Sequence, residues 1–306
     1  MTPVVTSGRD AATSRIPAAR HRGRWLYLAP LLLVLAVWVY GPALFTLVLS
    51  FLEWNLTTPP SGFVGLDNYA DLMRRPEFSR AVWQTVLTAV ALLPFSTVIP
   101  LVLAVMLWQR PGRASSAYRS LLFLPVIMAP VAVAVAWRFL LNPLQGLVNE
   151  GLALLGIPAI NWLGDPSTAL LVIVVVTSAK VIAFNMLLYS AALAAIDRRT
   201  VEAARLEGAT SYEVARFVIV PQLVRTTVVL ALLSIVLAGQ WTFTNVAELT
   251  QGGPDGLTDN VYYRIYTLGF QFFEIGPASA AAVLVLLAFA VVAVVWRMLR
   301  GPDAAR

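Results

Sequence analysis

The 306-residue chain contains no cysteine, one histidine and one lysine. Without cysteine there is no disulfide, no thiolate metal ligand and no cysteine nucleophile, and the redox compartment leaves no mark on the sequence. The single histidine, His21, stands in a basic N-terminal stretch, so a zinc site of the usual His/Cys type is excluded and the residue reads as one more interfacial polar group. Charge is scarce too: 12% of residues are Asp, Glu, Lys or Arg against 59% hydrophobic, with a mean hydropathy of +0.77. That balance excludes an ordinary soluble domain. A phosphate-binding G-x-x-x-x-G-K-[ST] loop is also missing, because Lys180 is followed by Val181. The net charge of +6 does not point to nucleic acid, since the arginines are scattered between apolar runs instead of forming a stripe.

What is abundant is long apolar runs. A bilayer core about 30 Å thick needs roughly 20 apolar residues per helix. Six runs of that kind occur, at Trp25–Leu52, Val82–Trp108, Ala117–Leu141, Ala169–Ile196, Gln222–Ala247 and Pro277–Leu299. The expected fold class is an all-α membrane protein of six transmembrane helices. Pro30, Pro42, Pro94, Pro100, Pro125 and Pro130 fall within spans, where neighbours can satisfy the freed carbonyls, so kinked and closely packed helices are expected.

Arginine sets the orientation, because short loops rich in Lys and Arg stay cytoplasmic. The two tails and the loops after the second and fourth spans hold most of it, including Arg110, Arg113, Arg119, Arg198, Arg199, Arg205, Arg216 and Arg225. The opposite side has only Arg74, Arg75, Arg80 and Arg264. Both termini are therefore expected in the cytoplasm, with the first span retained as an anchor because it is too long for a secretory signal. The expected organisation is a basic tail at 1–24, a first helix and outer loop at 25–81, a core of five helices at 82–300 and a short tail at 301–306. The outer loops are acidic, with Glu53, Asp67, Asp71, Glu77, Glu150, Asp165, Glu248, Asp255, Asp259 and Glu274. That surface needs no partner to explain it, yet it would also suit one.

The cytoplasmic loop at 197–221 parses into two short helices. Val201 to Glu207 are mostly good helix formers, Gly208 is placed to stop them, and Thr210-x-x-Glu213 reads as a capping box. Pro221 is expected to begin the fifth span. Ala203 and Ala204 beside Glu202 would let the unit lie close against a protein surface, although an amphipathic connector on the membrane surface explains it equally well. The string EAARLEGATSYEVARFVIVPQL resembles the EAA signature of permeases in binding-protein-dependent ABC importers. Glu202, Ala203, Ala204, Gly208 and Pro221 match, while Val218 and Val220 replace the usual Ile and Leu. FVGLDNY at Phe63–Tyr69, LTQGGP at Leu249–Pro254 and Gly276-Pro-Ala-Ser-Ala280 are similar to segments of the maltose-type carbohydrate permeases.

The resemblance implies a type I importer transmembrane domain that is not itself an enzyme and binds no cofactor of its own. ATP and Mg would sit on partner ABC ATPase subunits docked at the loop, with Glu202 as polar anchor, Ala203 and Ala204 as the packing face and Gly208 as the turn. It further implies a second homologous permease subunit, an external solute-binding protein or lipoprotein, a sugar substrate, no nucleic acid, and a bacterial or archaeal-type cytoplasmic membrane. Polar residues within spans are the candidates for the path. Ser234, Trp241, Asn245 and Glu248 share one face of the fifth span, and Gln240 and Thr244 form a neighbouring stripe. An aromatic ring beside amide and carboxylate groups suits a sugar, while helix–helix hydrogen bonding is the plainer explanation of each residue alone. Asn185 and Tyr189 join the candidates. Lys180 has no carboxylate within any span to pair with, so it meets a partner subunit, lines the path or snorkels. The competing class is a secondary transporter or channel working without ATP, for which internal repeats would be expected; none is evident.

Overall fold

The computed structural model describes residues 22–59 and 62–299. The tails assigned to 1–24 and 301–306 lie outside these residues, apart from positions 22–24. The described residues up to Thr46 form one compact unit, and those from Leu47 onward form a second. In the first, the helix Arg22–Leu35 widens into a π turn at Ala36–Tyr40 and leads into Gly41–Leu49. The stretch Tyr27–Leu49 is long and apolar enough to cross a membrane.

Four further continuous spans of that kind occur in the second unit: Pro76–Gln109, Ala169–Ala194, Ser211–Thr250 and Ile275–Met298. The third expected span is different. It is split into Arg113–Ile127 and Pro130–Leu140, bent by 96°. Ala129 precedes a proline, whose ring disfavours the helical region for that residue, and both Met128 and Ala129 are extended with ψ of 141° and 126°. The six apolar runs thus become five continuous helices and one bent pair.

The fourth span, Ala169–Ala194, lies at the centre of the second unit. It packs against the second span, the first half of the bent pair and the fifth span. Its sequence has no polar face, so burial on several sides is the arrangement that suits it; Val172, Ile173, Val174 and Val176 are all buried. After the first span, Leu52–Glu53 pairs antiparallel with Gly62–Phe63, and the helix Asp67–Arg74 follows. Asn68 donates to the Ser50 and Leu52 carbonyls at 2.9 and 3.0 Å, and Tyr69 donates to Ser50 Oγ at 2.7 Å. Gly276, at the start of the sixth span, is needed there: a Cβ would come within 2.5 Å of the Leu52 oxygen and 2.7 Å of Asn68 Nδ2. The motifs FVGLDNY and Gly276-Pro277 are therefore two halves of one close approach.

Candidate functional site

The loop at 197–221 is built by local rules. Asp197 caps the helix Arg198–Leu206 by accepting from the Arg199 N–H at 2.9 Å. The helix stops at Gly208, whose φ of 89° is left-handed, and the Ala209 N–H returns to the Ala204 carbonyl at 3.1 Å. Thr210 then starts the next helix with the expected capping box: its N–H donates to Glu213 Oε2 at 2.7 Å, and the Glu213 N–H donates to Thr210 Oγ1 at 3.3 Å.

Pro221 stands in the first turn of the α-helix Val220–Asn245, where the fifth span is expected to begin, but that helix is not separate from the loop, because the helical run from Ser211 continues to Thr250. A π-helical stretch at Val214–Ile219 precedes it, with the Val220 N–H donating five residues back to Ala215. That wider register carries the chain past a residue that has no N–H for the usual four-residue bond. The second loop helix and the fifth span are one continuous helical run.

The loop has two faces. Val201, Val214 and Ile219 are buried with Ala104 and Val105 of the second span and with Tyr189, Leu193 and Ile196 at the end of the fourth. Ala204 is part-buried against this same cluster. It therefore faces the protein's own core and does not share an outward packing face with Ala203, which is exposed together with Glu202 and Gly208. The outward face also carries three large apolar residues absent from the sequence-based candidates, Leu206 at 90% exposure and Tyr212 and Phe217 at 68% each. Their signal is their alternation with the buried Val201, Val214 and Ile219. Exposed large apolar side chains such as these suit a surface that another molecule covers.

Within the spans, the polar candidates separate into two groups. Lys180, Gln240, Trp241, Thr244 and Asn245 line one cleft of about 290 Å³ between the bent third pair and the fourth and fifth spans. Thr177 lines it as well and accepts a 2.8 Å hydrogen bond from Asn245 Nδ2. The Trp241 ring meets Phe184 edge-on, with centroids 5.4 Å apart. The other group does not reach the cleft. Asn185 and Ser234 are buried and bonded to each other at 2.9 Å, and Tyr189 is fully buried in the apolar cluster beneath the loop. These three are packing residues, and the helical period that put Ser234 on the face of Trp241 could not reveal that a neighbouring helix covers that turn. Glu248 lies beyond the cleft, its backbone oxygen 3.5 Å from Arg138 Nη1.

The turn after the fifth span is fixed by polar groups. Gln251, Gly252, Asp255 and Gly256 all have positive φ, and the Gly253–Pro254 peptide is cis. Arg80 donates to the Asp255 carbonyl at 2.7 Å, and Thr258 Oγ1 donates to the Gly253 carbonyl at 2.7 Å. Asp259 is buried and paired with Arg264. Burial pushes its carboxyl upward, and the Arg264 guanidinium pulls it part of the way back.

Residues 61–300 match the family of binding-protein-dependent transport system inner membrane components. The chain belongs to this family. Among curated relatives of this inner membrane component, it is 32% identical to the sn-glycerol-3-phosphate transport system permease protein UgpA of Pectobacterium atrosepticum, over 87% of the chain and 90% of that protein. It is 30% identical to the lactose transport system permease protein LacF of Rhizobium radiobacter, over 92% and 95% respectively. A bacterial ABC transporter involved in the import of the acidic polysaccharide alginate has a chain of the same fold, with a TM-score of 0.80 at 24% identity, covering 92% of this chain and 97% of that one. The fold is that of a type I importer transmembrane domain.

Proposed function

We propose that this inner membrane component is the permease subunit of an ATP-driven importer for a sugar or sugar derivative. It forms half of the translocation path with a second homologous permease, receives cargo from an external solute-binding protein and couples to separate ATPase subunits, which hold the ATP and Mg. The observation that carries this reading is the capped loop at 197–221. Its inner face is packed onto the ends of the second and fourth spans, and its outer face presents Glu202, Leu206, Tyr212 and Phe217. A push on that face passes directly into the spans, because the second loop helix and the fifth span are continuous. Arginine asymmetry puts the loop and both termini on the cytoplasmic side, where an ATPase would be. The relatives named above carry a phosphate ester and a disaccharide, so family membership supports a sugar-type cargo without choosing its charge.

The test is Glu202→Arg in the assembled complex. Membrane insertion should be unchanged, while ATPase co-purification and ATP-dependent uptake fall at least tenfold. Uptake as fast as in the parent, or uptake that continues without ATP on a maintained ion gradient, would count against the importer reading.

A further inference from the structure

We infer that Lys180 is the cargo-recognising group of the cleft and that the cargo it selects carries a negative charge. This rests on the importer reading above. Lys180 is the twelfth residue of a 26-residue span, roughly 16 Å along its axis from Ala169. It is the chain's only lysine, is only part-buried, and lines the cleft between the third, fourth and fifth spans. Among the described residues it has neither a hydrogen-bond acceptor nor an ion-pair partner. A cation at this depth is retained where it faces a partner or an aqueous path.

The rest of the cleft completes the argument. Gln240, Trp241 and Thr244 line it with side chains whose polar atoms are not engaged by any described residue, and no Asp or Glu lines it. The free groups are therefore weighted towards donors: the ammonium, the indole N–H, the amide NH₂ and the hydroxyl. Such a set matches a ligand rich in acceptor oxygens and bearing one anion, with the Trp241 ring beside the sugar's apolar face. Thr177 and Asn245 are bonded to each other and hold the wall between the two helices. The volume, about 290 Å³, suits one sugar ring with its carboxylate or phosphate at a time, since it falls just below the ~300–1,000 Å³ range of small-molecule pockets.

Because this chain has a single lysine, amine acetylation read by mass spectrometry on the peptide that contains residue 180 reports on Lys180, apart from any label on an α-amino group. The label should reach Lys180 in the ATP-free complex, and methyl glucuronide or glucose 6-phosphate should protect it while methyl glucoside at the same concentration does not. In proteoliposomes with the receptor, Lys180→Gln should lower uptake of the anionic cargo at least tenfold, and Lys180→Arg should restore most of it. Equal protection by methyl glucoside, protection by none of the three, or a Lys180 that never labels because a partner subunit seals it would overturn the proposal. ATP dependence of uptake in the same vesicles is read separately, so failure of the importer reading and failure of anion recognition are distinguishable.

Discussion

Asn185 donates from Nδ2 to the Ser96 carbonyl at 2.6 Å, an acceptor that the second span cannot satisfy by itself. Pro100 stands four residues after Ser96 and has no N–H to return. The same amide reaches Ser234 Oγ at 2.9 Å, so one side chain, 1% exposed, ties the second, fourth and fifth spans together. The proline that would weaken an isolated helix here creates the acceptor that locks three helices.

Asn185→Leu should therefore lower the thermal unfolding midpoint of the purified complex, with a cost of about 1–2 kcal/mol from the lost interhelical bonds and the orphaned carbonyl. Ser234→Ala should cost less, about 0.6 kcal/mol, because Ser96 keeps its donor. Adding Pro100→Ala to Asn185→Leu should recover part of the loss, since the residue at position 100 would then supply a helical N–H to the Ser96 carbonyl. No recovery in the double variant would mean that the carbonyl is satisfied by other means.

This lock also marks the limit of what the sequence reveals. The capping box of Thr210 and Glu213 and the stop at Gly208 were legible because each bond closes within three or four residues. The cleft residues Lys180, Gln240, Trp241, Thr244 and Asn245 were legible because polar groups are costly in apolar spans. Helical period told which face Asn185, Tyr189 and Ser234 occupy, but not that another helix lies on it. Pro221 marks the first turn of the α-helix Val220–Asn245, as a proline can, whereas the π stretch at Val214–Ile219 that joins it to the loop helix leaves no mark in the sequence.

The buried pair of Asp259 and Arg264 gives a second expectation. Arg264→Gln leaves a buried carboxylate without its counter-charge and should destabilise the complex by about 3 kcal/mol, whereas Asp259→Asn combined with Arg264→Gln should cost clearly less. The pH dependence has a definite sign. Burial raises the Asp259 carboxyl above its ordinary value, so its contribution is full below the ordinary carboxylate range and is lost as pH rises through the raised value. Removing Arg264 takes away the largest opposing influence, leaving those of the Asn260 backbone and Arg80, and raises it further. Acidification from neutral pH towards the carboxylate range should thus recover more stability in Arg264→Gln than in the parent, as measured by unfolding midpoints across pH.

A third concerns Gly239, where a Cβ would overlap the Tyr262 ring. Gly239→Ala should push Tyr262 away and disturb the contact between the fifth span and the short helix Val261–Tyr266, at a cost of about 1–3 kcal/mol. Tyr262→Ala in the same background should relieve the overlap, making the double variant more stable than the sum of the two single losses. Strictly additive losses would show that the ring is not what limits residue 239.

The last tests the loop's geometry while leaving Glu202, Leu206, Tyr212 and Phe217 unchanged. Gly208 holds a φ of 89° with open space around its Cα, so the obstacle to a side chain there is conformational and not steric crowding by neighbours. Gly208→Ala should cost about 1–2 kcal/mol in the left-handed region, and Gly208→Asn less, because Asn tolerates that conformation. Thr210→Ala removes the cap and should cost about 1 kcal/mol. If the angle between the two loop helices carries the ATPase stroke into the fifth span, cargo moved per ATP hydrolysed should fall in the order parent, Gly208→Asn, Gly208→Ala, with membrane insertion unchanged in all. Uptake and hydrolysis measured together in proteoliposomes give that ratio directly, and an alanine variant coupled as tightly as the parent would show that the turn serves folding and not transmission.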